Sequence, residues 1–254
     1  MFNVVDIPAW SRVHNPCHYQ NRNSDSMIIT VGDSWTYGDS LGKTCVREGL
    51  DDTQHRLAHV YGNLISQELD VDWINLALPG ISNRQMFIWL EQLLARHVHA
   101  KNTTCIITLT ESGRHEELNW LDPNLTTLQA NLENMVNKTY RWIDQIQKRY
   151  PAIKFIVAHN FSDSRSTDKV QVCNQTWLEV MTNNKIQNGT HVVVSEHIKQ
   201  LNYNYTYSDT PDVIDRALAR IDVLDTCKYC YKHDSRHPTE LGHKLWANYL
   251  LNQL

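Results

Sequence analysis

Short apolar, β-branched runs recur along this chain, each followed by a longer amphipathic or polar stretch. That alternation constrains the fold more than any other feature. The runs are Met27 to Val31, Asp72 to Leu78, Thr104 to Thr110, Ile153 to His159 and His191 to Ser195. They are continuous rather than alternating, which suits parallel strands buried on both faces. Between them, Thr53 to Leu69 places Leu57, Val60, Tyr61 and Leu64 at helical spacing. Asn83 to Val98 carries Met86, Trp89, Leu90, Leu93 and Leu94, and Leu125 to Tyr150 reads as a long helix stopped by Pro151. Asn174 to Thr182, Asp212 to Val223 and Thr239 to Leu251 read as further helices. Strands separated by helices imply βαβ crossovers and an open sheet covered on both sides. No repeat or Pro/Gly/Ser linker interrupts the pattern, and Ser162 to Asp168 reads as a polar loop. The expectation is one α/β domain over 1–254, with 1–25 as an N-terminal extension.

The charge balance narrows the partners. With 24 basic and 28 acidic residues, the net charge of -4 gives no electrostatic case for nucleic acid or an anionic membrane surface. No apolar run approaches the roughly 20 residues needed to span a bilayer. The first 25 residues lack a basic segment followed by an apolar one, so no signal peptide is expected. Cys17, Cys45, Cys105, Cys173, Cys227 and Cys230 are scattered through a chain large enough to fold without staples, and read mostly as reduced thiols. The N-x-[ST] patterns, Asn160 among them, read as a consequence of an Asn- and Thr-rich composition.

In open parallel sheets ligands bind at the carboxyl ends of the strands, so the residues following each run carry the functional weight. The first run ends in Gly32-Asp33-Ser34. Alone, this reads as a turn or helix cap as readily as a nucleophile. It is not a G-x-S-x-G elbow, because position 36 is Thr. The second run ends in Leu78-Pro79-Gly80-Ile81-Ser82-Asn83, where Gly80 can offer a bare backbone N–H and Asn83 a side-chain amide. Near the C-terminus, Asp234 lies three residues before His237, with Pro238 and an apolar helix stripe following. An Asp and a His on one turn can meet, the carboxylate fixing the imidazole tautomer.

Together these blocks, in the order Ser, Asp, His, resemble the SGNH hydrolases, also called GDSL esterases and lipases. The resemblance runs from Gly32 to His237. It implies a three-layer α/β/α sandwich of SGNH (flavodoxin-like) type, with a parallel sheet of about five strands. It implies Ser34 as nucleophile, His237 as general base and acid, and Asp234 as the residue orienting His237. The backbone N–H groups of Ser34 and Gly80 would stabilise the oxyanion. The third block departs from the family's G-x-N-D: the stretch reads Thr110-Glu111-Ser112-Gly113-Arg114, with Ser112 where the Asn would stand. Ser112, Thr110 or Asn83 could substitute as side-chain donor. The implied activity is hydrolysis of an ester, a short acyl group such as acetyl on a carbohydrate, through an acyl-enzyme. No metal or organic cofactor is implied, and the partner is a small-molecule or glycan ester. The alternatives are an O-acyltransferase, or a weak or inactive binding or structural module. A likeness of Gly32 to Gly38 to phage variants of the family implies a virion-associated location as the alternative to a cytoplasmic one.

Some residues have competing readings. Cys227, Cys230, His233 and His237 form C-x-x-C-x-x-H-x-x-x-H, donor types that suit zinc, a disulfide at Cys227 and Cys230 or free thiols being the other possibilities. His55 and His59, four apart on one helix face, read as a packed or solvated pair with the spacing of a metal pair. His243 reads as a surface residue, and Asp39-Ser40, a second Asp-Ser with no strand before it, as loop.

Overall fold

The computed structural model describes residues 3–4, 17–45, 48–97, 102–110, 125–160, 169–183, 229 and 237–254. Among the described residues six strands form one sheet: β1 (Asn3–Val4), β2 (Cys17–Gln20), β3 (Ser26–Gly32), β4 (Asp72–Ala77), β5 (Asn102–Leu109) and β6 (Lys154–His159), in the order β1-β2-β4-β3-β5-β6. The central strands β4, β3, β5 and β6 are parallel, while β1 and β2 add antiparallel at one edge. The four parallel strands are the first four apolar runs. The fifth expected strand, at 191–195, and the helix expected at 212–223 lie outside the described residues.

The helices are α1 (Ser34–Tyr37), α2 (Thr53–His59), α3 (Tyr61–Leu69), α4 (Asn83–His97), α5 (Leu125–Arg149), α6 (Trp177–Thr182) and α7 (Glu240–Leu251). Strand side chains alternate between two cores. Ile28, Trp73, Ile106 and Ile156 pack with Leu57, Tyr61, Ile65, Trp177, Leu178 and Trp246 on one face. Met27, Ile29, Ile74, Cys105, Ile107 and Val157 pack with Leu90, Leu94, Ile143 and Ile146 on the other. Because successive strand residues point to opposite faces, strands buried on both sides need helices on both sides, and the result is the expected α/β/α sandwich. Among the described residues no helix is long and apolar enough to cross a membrane.

The structure departs from the sequence reading in three places. Residues expected only as an N-terminal extension supply β1 and β2. The β2 sequence, Cys-His-Tyr-Gln, has no apolar run; its place is fixed by polar groups. Tyr19 Oη donates to Asp72 Oδ2 (2.9 Å), and the Arg22 N–H donates to Asp72 Oδ1 (2.7 Å). The single helix expected over Thr53 to Leu69 is two helices, broken where Val60 adopts an extended conformation (ψ 141). The Tyr61 N–H, at the start of α3, donates to His243 Nδ1 at 3.3 Å. His243 is therefore fully buried rather than on the surface, with its ring edge-on to Trp177 (4.9 Å between centroids).

A buried cation anchors the end of α1. Arg56 donates to both carboxylate oxygens of Asp51 (2.9 and 3.2 Å), to the Tyr37 carbonyl (3.1 Å) and to His18 Nε2 (3.2 Å). Its guanidinium also lies over the Tyr37 ring, 3.8 Å from the centroid. This cluster joins α2, α1 and β2 just behind the residues that follow β3.

Candidate active site

The carboxyl ends of three parallel strands are knotted together by one carboxylate. Asp33, fully buried, caps α1 by accepting from the Trp35 N–H (3.0 Å). It also accepts from Thr110 Oγ1 (2.7 Å), just past β5, and from Asn160 Nδ2 (2.8 Å), just past β6. Three donors compensate the burial of its charge. Removing the carboxylate leaves a main-chain N–H, a hydroxyl and an amide without it. Asp33→Ala is expected to cost about 3–5 kcal/mol, read as a fall in the midpoint of denaturant unfolding. Asp33 is thus a structural hub that the sequence pattern did not single out. Its signal was its place, directly after a buried strand and beside the candidate nucleophile.

Gly32 is fixed by space. A Cβ there would lie 2.0 Å from Thr36 Oγ1 and 3.1 Å from the Thr108 carbonyl oxygen. Only glycine lets the chain turn so closely from β3 into α1. Ser34 follows as the first residue of α1, 4% exposed. Among the described residues none hydrogen-bonds its hydroxyl.

The second block forms a tight turn. The Ile81 N–H donates to the Leu78 carbonyl (3.3 Å) across Pro79 and Gly80, and Gly80 has φ 76. Proline followed by a left-handed glycine is the pattern of a type II turn. Gly80 is exposed, and nothing lies within 4 Å of where a Cβ would sit. Its glycine is needed for conformation, not for room.

Asn83 and Thr110 are drawn together, and both are largely occupied. The Thr110 N–H donates to Asn83 Oδ1 (3.0 Å) and Asn83 Nδ2 donates to the Thr110 carbonyl (2.9 Å). This two-bond clasp leaves Asn83 one N–H to offer. The only hydroxyl proton of Thr110 goes to Asp33. Ser112 and Asp234 lie outside the described residues, as do Glu111, Gly113, Arg114, Cys227, Cys230 and His233.

His237 is buried just before α7, whose N-cap Thr239 accepts from the Gly242 N–H. Its ring faces the Asp39-Ser40 pair. Nδ1 is 3.4 Å from Ser40 Oγ, and Nε2 is 3.8 Å from Asp39 Oδ2. The Asp39 N–H in turn donates to the Ser34 carbonyl (3.0 Å). The turn that faces His237 is therefore bonded to the main chain of Ser34, and the two ends of the sequence meet here. Asp39-Ser40, read as plain loop in the sequence, is buried and lines the imidazole. A carboxylate at this distance balances the charge the ring acquires when it takes a proton. The only sequence signal for this pairing was the repeat of Asp-Ser six residues on.

A serine on a helix start at the sheet's carboxyl edge, with an imidazole against the adjoining turn, is the layout of an α/β serine hydrolase. The profile of the GDSL-like Lipase/Acylhydrolase family matches residues 28–250, and the chain belongs to that family. It is an ester hydrolase of SGNH type. No curated protein matches the chain. The chain is also similar, at low identity, to several solved structures. A member of the lipolytic G-D-S-L family from Veillonella parvula DSM 2008 is 16% identical, covering 89% of this chain and 97% of that one, with a TM-score of 0.42. An acetyl-xylooligosaccharide esterase from Geobacillus stearothermophilus is 14% identical over 90% and 93%, with a TM-score of 0.41. A carbohydrate esterase family 2 enzyme with a carbohydrate binding domain, from Corynascus thermopiles, is 16% identical, with a TM-score of 0.44; the match covers 91% of this chain and 65% of that one.

Proposed function

We propose that the chain hydrolyses a short-acyl ester, such as an acetyl group on a carbohydrate, with Ser34 as nucleophile, His237 as base and Asp234 as its orienting partner. The observation that carries this reading is that His237 faces the Asp39-Ser40 turn, whose Asp39 N–H bonds the Ser34 carbonyl at the sheet's carboxyl edge. Ser34 Oγ attacks the carbonyl carbon while its proton passes to His237. The tetrahedral oxyanion is received by the backbone N–H groups of Ser34 and Gly80. His237 then returns the proton to the leaving alcohol, an acyl-enzyme remains, and water releases the acid by the same route. The near-complete burial of Ser34 supports a small acyl group, and the open, exposed turn at Gly80 leaves room for a bulky alcohol portion such as a sugar.

A slower member of the family is the second reading. Its support is the occupied state of Thr110 and the half-occupied state of Asn83, which leave Asn83 one N–H and Thr110 no hydroxyl proton for the oxyanion. Losing one such donor costs roughly 100- to 1000-fold in rate. A panel of p-nitrophenyl acetate, p-nitrophenyl octanoate and acetylated xylo-oligosaccharides separates these possibilities. Acetyl esters are expected to exceed octanoate by more than about 10-fold in kcat/KM, and His237→Ala is expected to reduce both by more than about 100-fold. Preference for octanoate would remove the short-acyl assignment, and full turnover by His237→Ala would remove the triad.

A further inference from the structure

Outside the residues assigned to ester cleavage, His55 and His59 stand one turn apart on α2 and face Glu240 in the first turn of α7. One ligand atom from each of the three lies within 4.8 Å of the others. His55 Nε2 is 2.6 Å from Glu240 Oε1, and the two imidazole rings stack with centroids 4.2 Å apart. His59 Nδ1 is 2.8 Å from the His55 carbonyl oxygen. A carbonyl only accepts, so Nδ1 carries the proton and a neutral His59 presents Nε2 as its lone-pair nitrogen. A backbone carbonyl holding the second ring nitrogen is the usual support for a metal-ligating histidine. Behind His55, Gly42 (φ 62) leaves space that a Cβ would fill, 2.8 Å from the His55 ring and 3.0 Å from Asp52 Oδ2. A plain ion pair between His55 and Glu240 accounts for two of these groups and leaves the stacked, oriented His59 unexplained.

We propose that His55, His59 and Glu240 form a three-ligand site for a divalent ion of the zinc type, which clamps α2 to α7. Two imidazoles and one carboxylate suit zinc, with a fourth position for water. Ligand atoms around a tetrahedral ion with bonds of about 2.0 Å stand ~3.3 Å apart. Filling the site therefore asks only for rotamer-sized shifts from the observed separations. His55 and His59 are half-buried and Glu240 is exposed, so an entry path exists. Glu240 lies three residues after His237, so an occupied site restrains the segment that carries His237. This proposal does not depend on the ester-cleavage reading.

The test uses the full chain without an affinity tag, carrying Cys227→Ser and Cys230→Ser so that the C-x-x-C pair contributes nothing. Zn2+ titrated into this protein is expected to bind at one ion per chain. At a hundredfold excess over Kd it is expected to raise Tm by about 5 °C or more, while Mg2+ does not. His59→Ala leaves the His55–Glu240 contact in place and is expected to weaken Zn2+ binding by more than about 10-fold, as is Glu240→Gln. Circular dichroism checks that each variant is folded, and His59→Gln is the substitute should the alanine variant fail. Absence of any zinc response in the parent protein, or unchanged affinity in a folded His59 variant, would overturn the proposal.

Discussion

Ser34→Ala is expected to lower kcat for ester cleavage roughly 10,000- to 1,000,000-fold while leaving the protein as stable as before, or slightly more so. The two halves of this expectation have one source. Ser34 as a residue is 4% exposed, and among the described residues none bonds its hydroxyl, so the hydroxyl contributes little to holding the fold. Removing a hydroxyl that makes no hydrogen bond within the protein costs little. Its neighbour behaves in the opposite way. Asp33 is bonded to three separate elements, so its replacement costs stability first and activity as a consequence. Measuring kcat and the unfolding midpoint for both variants side by side checks the division of labour. A Ser34→Ala protein that keeps activity within about tenfold of the parent would remove Ser34 from the chemistry.

The second large effect is acid sensitivity that begins well above the carboxylate range. Burial, with the nearby Arg56 charge adding to it and Asp51 opposing it, lowers the pKa of His18 to about 4. Burial, reinforced by His237 and His59, lowers that of His243 to about 3. The unfolded chain protonates both near pH 6.5, whereas the folded chain keeps them neutral. Below that pH the unfolded state binds more protons, so stability is complete above 6.5 and falls as pH drops toward 4 and then 3. Each histidine contributes a slope of about 1.4 kcal/mol per pH unit within its window. Asp51 extends the trend to lower pH: burial raises its pKa, but the Arg56 hydrogen bonds and charge outweigh this, and it stays ionised below the ordinary carboxylate range. The check is Tm across pH 4 to 7.5. His243→Gln is expected to flatten the curve between pH 6 and 4, even though the variant starts less stable. A Tm independent of pH across this interval would contradict the account.

What the sequence revealed and what it concealed divide along a physical line. The parallel strands were legible because burial on both faces demands continuous apolar runs such as Met-Ile-Ile-Thr-Val. The turn at Pro79-Gly80 was legible because it uses local chemistry. β2 was not, because Tyr19 and the Arg22 N–H are held by a carboxylate 50 or more residues away, and no periodicity encodes that. The break at Val60 was hidden for the same reason: its compensating hydrogen bond comes from His243, on the last helix. At the site, the glycine that must be Gly32 and the serine after Asp33 stood out as a motif. The partner of His237 in the Asp39-Ser40 turn did not, since a contact across 197 positions depends on how the two ends of the sheet's edge meet.

The central claim is that Ser34 forms the covalent intermediate and His237 activates it. An ester-mimicking fluorophosphonate tests this most directly, with the labelled peptide mapped by mass spectrometry. The account requires a single adduct on Ser34, absent from Ser34→Ala and slowed by more than about 100-fold in His237→Ala. An adduct on another residue, on Ser40 for instance, or equal labelling of Ser34→Ala, would contradict it.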